Sequence, residues 1–455
     1  MTKNKDMEVK ILLIRFAVQN FMSYRDMTEL RMSAGNSLLH EEHVINERGK
    51  RLLKGAFLFG PNASGKSNLI KAASFAQEII LYGIKSVSCE KKYFRIDNKY
   101  KSQPGVFQFD IASGGYFYSY GFALSYSDAA VQEEWLYRLD DGLCVFERQK
   151  NGNGGCSVKT DLVFSDEKKR ARFDVYIQDI ESPKMSQTLF LSDVEMRSPD
   201  VEEEYQPFRD VMMWFRYLTI IFPETRYGGI LRMVEDSNAS ADLDLLLKYF
   251  DTGIDSVGSQ HMTFDEVMRN EPGLERLKPE LERELRNNYS AAVLTSYPGN
   301  RLLEVSYRDG SLYADEVITN HGNKEEMFSF QDESDGTRRL FDILPLYQFG
   351  QAGRVILVDE LDRSLHSAAT REFIRLFYER TENTPSQLIV TTHDLNIMDI
   401  EFLRRDEIWF VDRGRENNSV LYSLNKFEEI RHGMTNEDYL LGRFGAVPKF
   451  STGEA

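Results

Sequence analysis

AFLFGPNASGKSNLIKAASFAQEII, residues 56–80, is the stretch that decides the fold of this chain. It opens with four apolar residues typical of a buried strand, continues with a glycine-containing loop, and ends in apolar residues at helical spacing. Its middle fits the pattern G-x-x-x-x-G-K-[ST], in which glycines let backbone N–H groups face phosphate oxygens. In this pattern the lysine reaches the β- and γ-phosphates, and the hydroxyl after it ligates Mg²⁺. The candidate nucleotide-binding residues are Gly60, Pro61, Asn62, Ala63, Ser64, Gly65, Lys66 and Ser67, and Ser67 is also a candidate magnesium ligand.

A second apolar stretch, RVILV at residues 354–358, ends in the acidic pair Asp359-Glu360. Open α/β sheets bind their ligands at the carboxyl ends of the strands, so these side chains are expected at a ligand-binding edge. We expect Asp359 to hold Mg²⁺ through water. We expect Glu360 to act catalytically, by polarising the water that attacks the γ-phosphate. An apolar run that ends in two acids is weak evidence of a functional site on its own. In combination with the phosphate-binding loop, it becomes strong evidence.

A third apolar stretch, QLIVTT at residues 387–392, ends in His393. One helix and one strand separate this histidine from Glu360, so in a parallel sheet both residues return to the same edge. We therefore take His393 as a second candidate catalytic residue, which senses or stabilises the transferring phosphoryl group. The alternative is a structural histidine, which is the usual role of a lone histidine at a strand end.

The composition indicates a globular protein of two to four domains. The chain has 455 residues, of which 42% are apolar and 28% charged, enough for one large and one smaller hydrophobic core. Its formal net charge of −16 excludes a surface that is basic throughout, although a local basic groove is compatible with it. Three cysteines without C-x-x-C spacing suit a reducing compartment, and no apolar run reaches the roughly 20 residues needed to span a bilayer. We expect a cytoplasmic location and no membrane partner.

Together with the opening LLIRFAVQNFMSYRD at residues 12–26, these motifs resemble the ABC-type ATPase heads of the SMC, RecF and OLD clan. A closer likeness is to stand-alone abortive-infection ATPases of anti-phage systems, of the AbiLi type, within the AAA superfamily. The shared stretches are GPNASGKSNL, ESDGTRRL, ILVDELDRSLH, QLIVTTHD and, at residues 440–448, LLGRFGAVP. The resemblance implies ATP and Mg²⁺ as cofactors, ATP hydrolysis, and an α/β fold: a P-loop head of mixed sheets and helices with a mostly helical insertion.

The stretch ESDGTRRL at residues 333–340 resembles the signature motif of that clan. Ser334 and Gly336 match its serine and second glycine, while Asp335 replaces the first glycine. The resemblance implies that these three residues, at a helix N-terminus, cap the ATP bound by a second subunit. His366 stands where an aspartate is more usual, and the glutamine of the clan's glutamine loop has two candidates, Gln77 and Gln103.

The order of the motifs predicts a head assembled from both ends of the chain. Residues 1–165 are predicted to form its first half, with the P-loop and an antiparallel β region. Residues 166–300 form a mostly helical insertion with a lid or partner-binding role, and residues 301–455 form the second half, with the signature, the acidic pair and His393. Such a split is permissible because loop closure costs free energy only logarithmically in length.

Other constellations favour ordinary structural interpretations. The stretch HEEH at residues 40–43 lacks the H-E-x-x-H pattern and a third ligand, and it is interpreted as a polar surface turn. The acids of DLD at residues 242–244 suit the first turn of a helix. Basic stretches with aromatic residues at 91–101 and 168–173 form either a nucleic-acid groove or solvated charge, and the acidic total favours the second. The acidic run at residues 199–205 is interpreted as solvated, with a partner site that mimics nucleic acid as the less frequent alternative.

The favoured function is an ATPase that dimerises head-to-tail around Mg-ATP and regulates a separate effector, such as a Toprim-like nuclease, in anti-phage defence. Higher homo-oligomers and a phage component or nucleic acid as trigger fit the same hypothesis. The alternative is a RecF-like DNA-binding ATPase of DNA repair or maintenance, and a third hypothesis is a scaffold that ATP locks into an assembly. The chain after His393 is too short for another domain of about 100 residues, so we expect no nuclease within it.

Overall fold

The contacts of the chain divide it into two compact units. The computed structural model describes residues 10–152, 154–199, 202–225, 230–270, 272–288, 292–295, 302–323, 325–427 and 435–447. The first unit comprises residues 1–223, 349–362 and 370–455, and the second unit comprises residues 224–348 and 363–369. These limits do not coincide with the boundaries predicted at 165 and 300, because the helices between residues 167 and 217 belong to the first unit.

The strands and helices have the following bounds, in chain order. The strands are β1 (Leu12–Gln19), β2 (Thr28–Arg31), β3 (Val44–Glu47), β4 (Lys50–Leu53), β5 (Gly55–Phe59), β6 (Gly105–Ser113), β7 (Tyr116–Ser125), β8 (Ala130–Arg138), β9 (Leu143–Lys150), β10 (Cys156–Lys159), β11 (Thr219–Ile221), β12 (Ser256–Thr263), β13 (Ala292–Thr295), β14 (Leu302–Arg308), β15 (Ser311–Asn320), β16 (Phe328–Ser329), β17 (Val355–Val358), β18 (Gln387–Thr391), β19 (Ile408–Arg413) and β20 (Ser419–Ser423). The α-helices are α1 (Lys66–Tyr82), α2 (Glu167–Ile180), α3 (Phe190–Arg197), α4 (Gln206–Tyr217), α5 (Ile230–Glu235), α6 (Ser237–Tyr249), α7 (Phe264–Asn270), α8 (Lys278–Asn288), α9 (Asp335–Ile343), α10 (Leu346–Gln351), α11 (Ser367–Arg380) and α12 (Thr435–Leu440). This mixture of strands and helices confirms the α/β fold class predicted from the sequence.

A six-stranded sheet in the first unit carries the predicted nucleotide-binding motifs. Its strand order is β11-β17-β18-β5-β19-β20, and every pair is parallel except β19 with β20. Strands β5, β17 and β18 are buried along their whole length, as expected for parallel strands covered on both faces. Because β18 lies between β17 and β5, their carboxyl ends bring the acidic pair, His393 and the P-loop to one edge of the sheet.

Strand β11 corrects one detail of the sequence interpretation. It lies in the stretch predicted as a helical insertion, yet it is the edge strand of this sheet and pairs in parallel with β17. The carbonyl of Ile221 accepts a hydrogen bond from the backbone N–H of Asp359 at 2.8 Å. Three residues are too few to show a period, so only the pairing with β17 reveals this strand.

The first unit also has a seven-stranded antiparallel sheet, in the order β10-β9-β8-β7-β6-β1-β2, and a hairpin of β3 and β4. Helix α4 packs against the seven-stranded sheet with Trp214 fully buried, and the indole Nε1 of Trp214 donates to the carbonyl of Leu12 at 3.0 Å. The buried amide of Gln387, at the start of β18, accepts from Leu13 N–H at 2.6 Å and donates to the carbonyls of Leu13 and Leu53. One buried side-chain amide therefore joins β1 of the antiparallel sheet to β18 of the parallel sheet.

The second unit has its own sheet and core. Its sheet has the order β12-β15-β14-β13, and β16 pairs with the C-terminal end of β15. Helices α7 and α8 cover it, and Phe264, Val267, Leu285 and Leu303 are among the residues of its apolar core. Helix α9, which begins next to Ser334, also belongs to this unit. Among the helices of the described ranges, none combines the length and apolar character that crossing a membrane requires.

Candidate functional site

The P-loop has the backbone that its glycines allow. Gly60 and Gly65 have φ angles of 155° and 111°, and a Cβ atom on Gly65 would lie 2.0 Å from the Ser419 hydroxyl oxygen. No side chain caps the first turn of α1, so in the described structure its N–H groups and its positive dipole end are left for an anion. The hydroxyl oxygen of Ser64 is buried without a hydrogen-bond partner among the described residues. These features fit a bound phosphate group.

Lys66 lies across this loop. Its ammonium group donates to the carbonyls of Gly60 at 2.7 Å and Pro61 at 3.3 Å, and the residue is only 5% exposed. Burial lowers the pKa of Lys66 to about 8, against the opposing attraction of three carboxylates, those of Asp359, Asp362 and Glu360. The loop thus holds a poorly solvated cation, which a phosphate group would stabilise.

Three residues that the motif analysis did not single out support the P-loop from outside. The phenol of Tyr24 donates to the carbonyl of Gly65 at 3.0 Å, and the hydroxyl of Ser419 donates to the carbonyl of Ser64 at 2.5 Å. The Ser419 hydroxyl also lies 2.7 Å from that of Ser23. The FMSY stretch at residues 21–24 was the sequence signal for Tyr24 and Ser23, whereas no local pattern marks Ser419.

The acidic pair is held by a residue at the end of the neighbouring strand. Asp359 is 2% exposed, and its carboxylate accepts a hydrogen bond from the Thr391 hydroxyl at 2.5 Å. The same hydroxyl oxygen accepts from the backbone N–H of Glu360 at 2.8 Å. Glu360 has a φ of 50°, a left-handed conformation that is uncommon for a residue with a side chain and is typical of functional sites. Thr391 therefore orients both acids, a role that sequence reasoning did not assign.

We expect Thr391→Val to lower the free energy of unfolding by about 1.5–3 kcal/mol, the usual loss for a hydrogen bond to a charged group. Valine has the same shape but no hydroxyl for Asp359 or Glu360. Denaturation by urea measures the effect. Thr370→Val is the matched control, because the hydroxyl oxygen of Thr370 is buried without a partner in the described structure and its loss should be neutral or stabilising. Equal destabilisation by both substitutions would contradict the role given to Thr391.

His393 lies at the same edge of the sheet. Its backbone N–H donates to the carboxylate of Asp362 at 3.2 Å, and its side chain is exposed. Loss of water around the ring and the nearby charge of Lys66 lower the pKa of His393 from its ordinary 6.5, although the three neighbouring carboxylates oppose this. Its imidazole is therefore neutral at pH 7.

A cleft of about 690 Å³ lies beside His393 and the first residues of the P-loop, within the first unit. Its walls are the P-loop, the ends of β18 and β19, and the C-terminal segment. The lining residues are Gly60, Pro61, Asn62, Ser64, Thr392, His393, Leu395, Asp412, Arg413, Gly414, Tyr439, Leu440 and Val447. The volume lies in the range of about 300–1,000 Å³ that is usual for small-molecule and cofactor sites.

The C-terminal segment is fastened beside the cleft by contacts with β19 and β20. The carboxylate of Asp412 accepts from Ala446 N–H at 3.0 Å, and the phenol of Tyr422 donates to the Phe444 carbonyl at 2.7 Å. Tyr439 stacks on Phe410 with ring centroids 5.6 Å apart. The described part of the LLGRFGAVP stretch thus forms one wall of the cleft, a position that the sequence resemblance did not indicate.

The signature residues lie in the second unit. Ser334 caps α9 by accepting from the Thr337 N–H at 3.1 Å, and Asp335 pairs with Arg338 at 2.5 Å. Ser334 and Asp335 are exposed, and Gly336 is half-buried. A Cβ atom on Gly336 would lie 2.9 Å from the carbonyl oxygen of Ser364, so glycine is required there by close packing. The start of α9 is therefore open to solvent within its own unit.

Neither candidate for the glutamine-loop residue lines the cleft. The Gln77 amide donates to the carbonyls of Phe215 and Leu218, both at 2.8 Å, and so joins α1 to the end of α4. Gln103 is exposed, and its backbone carbonyl accepts a hydrogen bond from Asn20. Strand β11 ends beside the acidic pair, because it pairs in parallel with β17. Neither glutamine follows β11 in the chain.

Comparisons with known proteins identify the family of the chain. The family described as an AAA domain, putative AbiEii toxin, Type IV TA system matches residues 56–399. No curated protein is similar enough to the chain to match it. Similar solved structures include the SMC head domain from Thermotoga maritima (11% identity, 92% of this chain and 99% of that chain, TM-score 0.35). Another is the Smc head domain bound to the C-terminal domain of ScpA from Pyrococcus furiosus (15% identity, 91% of this chain and 97% of that chain, TM-score 0.34). A third is the recombination mediator protein RecF (11% identity, 90% of this chain and 98% of that chain, TM-score 0.34). Because the family match covers more than half of the chain, and includes the P-loop, the acidic pair and His393, the chain belongs to this AAA domain family.

Proposed function

We propose that the chain binds Mg-ATP in the cleft of the first unit and hydrolyses it. The observation that carries this proposal is the strand order β17-β18-β5, which gathers the acidic pair, His393 and the P-loop at one edge. The backbone N–H groups of residues 62–67 and the Lys66 ammonium group bind the phosphates. Leu395, Leu440 and Val447 supply the apolar contacts of the cleft, which suit the base and ribose.

The residues at the end of β17 and the start of α1 fit a magnesium ion. The Ser67 hydroxyl and the Asp359 carboxylate are the hard oxygen ligands that Mg²⁺ prefers, Asp359 acting through water. When bound, Mg²⁺ would offset the negative charge of the phosphate groups. Asp359 is already oriented by Thr391, so its carboxylate does not have to reorganise.

Two residues carry the proposed chemistry of hydrolysis. The Glu360 carboxylate accepts a proton from the attacking water, which makes the water a better nucleophile. As the water oxygen bonds to the γ-phosphorus, the bond from that phosphorus to the β–γ bridging oxygen breaks, and ADP leaves with the electron pair. The neutral imidazole of His393 donates a hydrogen bond to a γ-phosphate oxygen, where negative charge remains concentrated. Lys66 stabilises the same charge from the side of the P-loop.

The pKa of Lys66 makes ATP binding depend on pH. Only the ammonium form attracts phosphate, so the pKa of Lys66 rises from about 8 when the nucleotide binds. ATP affinity is therefore constant below pH 8, and above it falls by up to about tenfold per pH unit, with uptake of a proton on binding. Isothermal titration between pH 7 and 9.5 measures both effects. Lys66→Arg, which stays protonated, should remove this dependence; the same slope in wild type and variant would contradict the assignment.

We further propose that two copies assemble head-to-tail, with Ser334, Asp335 and Gly336 of one copy closing the cleft of the other. Support comes from the exposed start of α9, whose positive dipole end suits the γ-phosphate. Asp335 carries the opposite charge, but its ion pair with Arg338 offsets that charge.

Ser334→Arg tests the dimer. The bulky side chain at the exposed helix start should prevent ATP-dependent dimerisation and lower the hydrolysis rate by about 10²–10³-fold, the usual loss when donors to developing charge are removed. Binding of ATP to the single copy should not change. Light scattering with and without ATP and a phosphate-release assay measure these effects, with Ser311→Arg at the exposed start of β15 as control. A variant that dimerises and hydrolyses normally would exclude this role.

We propose that this ATP cycle regulates a separate effector in anti-phage defence. The family description, which names a putative toxin of a TA system, fits a protein that works with a second component. Co-expression of the chain with products of adjacent genes, followed by purification with ATP, tests for that effector. A complex that forms only with ATP supports the proposal, and none with any neighbouring product would contradict it.

The charge pattern bears on the alternative of a RecF-like DNA-binding ATPase. In the basic stretch at residues 168–173, Lys169 pairs with Glu204 at 3.0 Å and Arg172 pairs with Glu202 at 2.8 Å. The acidic run thus pairs with two of the four cations of this stretch, and a third, Arg170, pairs with Asp174. These ion pairs favour ordinary surface charge over a DNA groove. Affinity for duplex DNA that strengthens with ATP and falls steeply with salt would instead favour the alternative.

A further inference from the structure

The turn at residues 40–43 brings three potential metal ligands together in the first unit. The ring nitrogens of His40 and His43 and a carboxylate oxygen of Glu42 all lie within 4.8 Å of one another. Glu42 Oε1 is 3.2 Å from His40 Nδ1 and 3.9 Å from His43 Nε2. Ligands bound tetrahedrally at the usual zinc distances lie about 3.3–3.6 Å apart, so small side-chain adjustments suffice. The stretch that was expected to be a polar surface turn therefore brings its ligand atoms close enough together to bind one metal ion.

His43 is oriented by buried partners. It is 5% exposed, its ring stacks on Tyr378 with centroids 3.6 Å apart, and its Nδ1 lies 2.9 Å from the Glu407 carboxylate, which is fully buried. Since the carboxylate accepts, Nδ1 carries the proton and Nε2 keeps its lone pair for a ligand. A carboxylate behind a histidine is the usual support of a metal-binding imidazole.

The contacts of His40 strengthen this inference. Its Nε2 lies 3.2 Å from the carbonyl oxygen of Ile400, which can only accept, so Nε2 carries a proton. In the neutral ring Nδ1 then has a lone pair, and this lone pair faces the Glu42 carboxylate at 3.2 Å. Two lone pairs at this distance repel each other unless a proton on Nδ1 or a metal ion lies between them. A metal ion shared with His43 satisfies both groups.

We propose that His40 Nδ1, Glu42 and His43 Nε2 bind one Zn²⁺ ion per chain. Two imidazoles and one carboxylate suit zinc better than Mg²⁺, which prefers oxygen ligands. The remaining coordination position faces a cavity of about 430 Å³ that Glu382 and Glu401 also line. The cation in that cavity, Arg375, is paired with Glu372 and Glu379.

The ion has a structural role. His40 contacts the carbonyl of Ile400, in the segment that follows β18 and His393. Bound zinc on Nδ1 therefore keeps the proton of His40 on Nε2, where it can be donated to Ile400, and it holds His40 in its left-handed conformation at φ 53°. This inference does not depend on the proposed ATPase function.

Zinc titration of the full-length, nucleotide-free protein tests the site after chelator treatment. We expect one equivalent of Zn²⁺ bound in excess Mg²⁺, and a higher midpoint of thermal unfolding with zinc. His40→Ala and Glu42→Gln should each weaken binding at least about 100-fold, since even outer partners of a metal site contribute 10–100-fold. The control Glu41→Gln removes an adjacent carboxylate that pairs with Arg51 instead, and it should bind zinc as the wild type does.

His43→Ala is unsuitable as the main test, because loss of the buried ring against Tyr378 can itself prevent folding. His40 and Glu42 are more exposed, so those two variants should fold. His393→Ala should keep the zinc equivalent, which distinguishes the site from metal bound in the nucleotide cleft. No stoichiometric zinc in the wild type, or wild-type affinity in either His40→Ala or Glu42→Gln, would overturn the proposal.

Discussion

Glu360→Gln is expected to bind ATP as the wild type does and to hydrolyse it about 10²–10⁴-fold more slowly, the usual contribution of a general base. Glutamine keeps the shape of the side chain and the backbone bond from residue 360 to Thr391, but it cannot accept the proton of the attacking water. Because turnover stops after binding, the ATP-bound dimer should accumulate. Single-turnover phosphate release measures the chemical step, and light scattering measures the assembly.

The matched control for this prediction is Glu78→Gln. Glu78 lies on the exposed side of α1, away from the residues that line the cleft, so its substitution should change neither rate nor assembly. Wild-type hydrolysis by Glu360→Gln would show that another group activates the water. Loss of ATP binding in this variant would instead mean that Glu360 holds the nucleotide or its metal ion.

Lys66→Ala is expected to weaken ATP binding by about 30-fold to several thousand-fold. This range corresponds to the roughly 2–5 kcal/mol lost when one partner of a buried charge pair is truncated, at 1.4 kcal/mol per factor of ten. The ammonium group of Lys66 is the buried cation of the P-loop, and alanine leaves nothing to replace it. Titration with a fluorescent ATP analogue at pH 7 measures the affinity.

The same substitution should not destabilise the nucleotide-free protein. Burial lowers the pKa of Lys66, so in the folded state the charged form is penalised at pH 7 relative to the unfolded chain. The penalty is absent above the ordinary pKa of lysine and is fully present below pH 8. Removal of the charge should therefore leave the thermal midpoint at pH 7 unchanged or raised. The control Lys71→Ala, at an exposed position of α1, should change neither the ATP affinity nor the thermal midpoint. A Lys66→Ala variant that binds ATP normally would refute the assignment of the P-loop.

Much of the candidate site was predictable because its parts are local in sequence. The P-loop needs a strand, a glycine loop and a helix within some twenty-five residues, and each part has its own residue pattern. The acidic pair and His393 each follow a fully buried strand, which is a second local signal. Since parallel strands present their carboxyl ends at one edge, these local signals predicted a shared site without knowledge of the strand order.

Other features depend on residues that are distant in the chain and follow no periodic pattern. Ser419 contacts the P-loop from 355 positions further along, and Thr391 contacts Asp359 from 32 positions away. Strand β11 is too short for a pattern of its own, and its place in the sheet comes from pairing with β17.

By itself, the sequence determined the fold class, the phosphate-binding loop and the two groups that follow buried strands. Glycine conformations, apolar periodicity and strand ends are properties of neighbouring residues, and they are expressed wherever the chain folds. Only the tertiary structure decided which hydroxyls orient the loop and the acids, which segment lines the cleft, and which carboxylate supports His43. Those choices depend on the burial of polar groups, because a buried donor or acceptor must find a partner from whatever part of the chain packs against it.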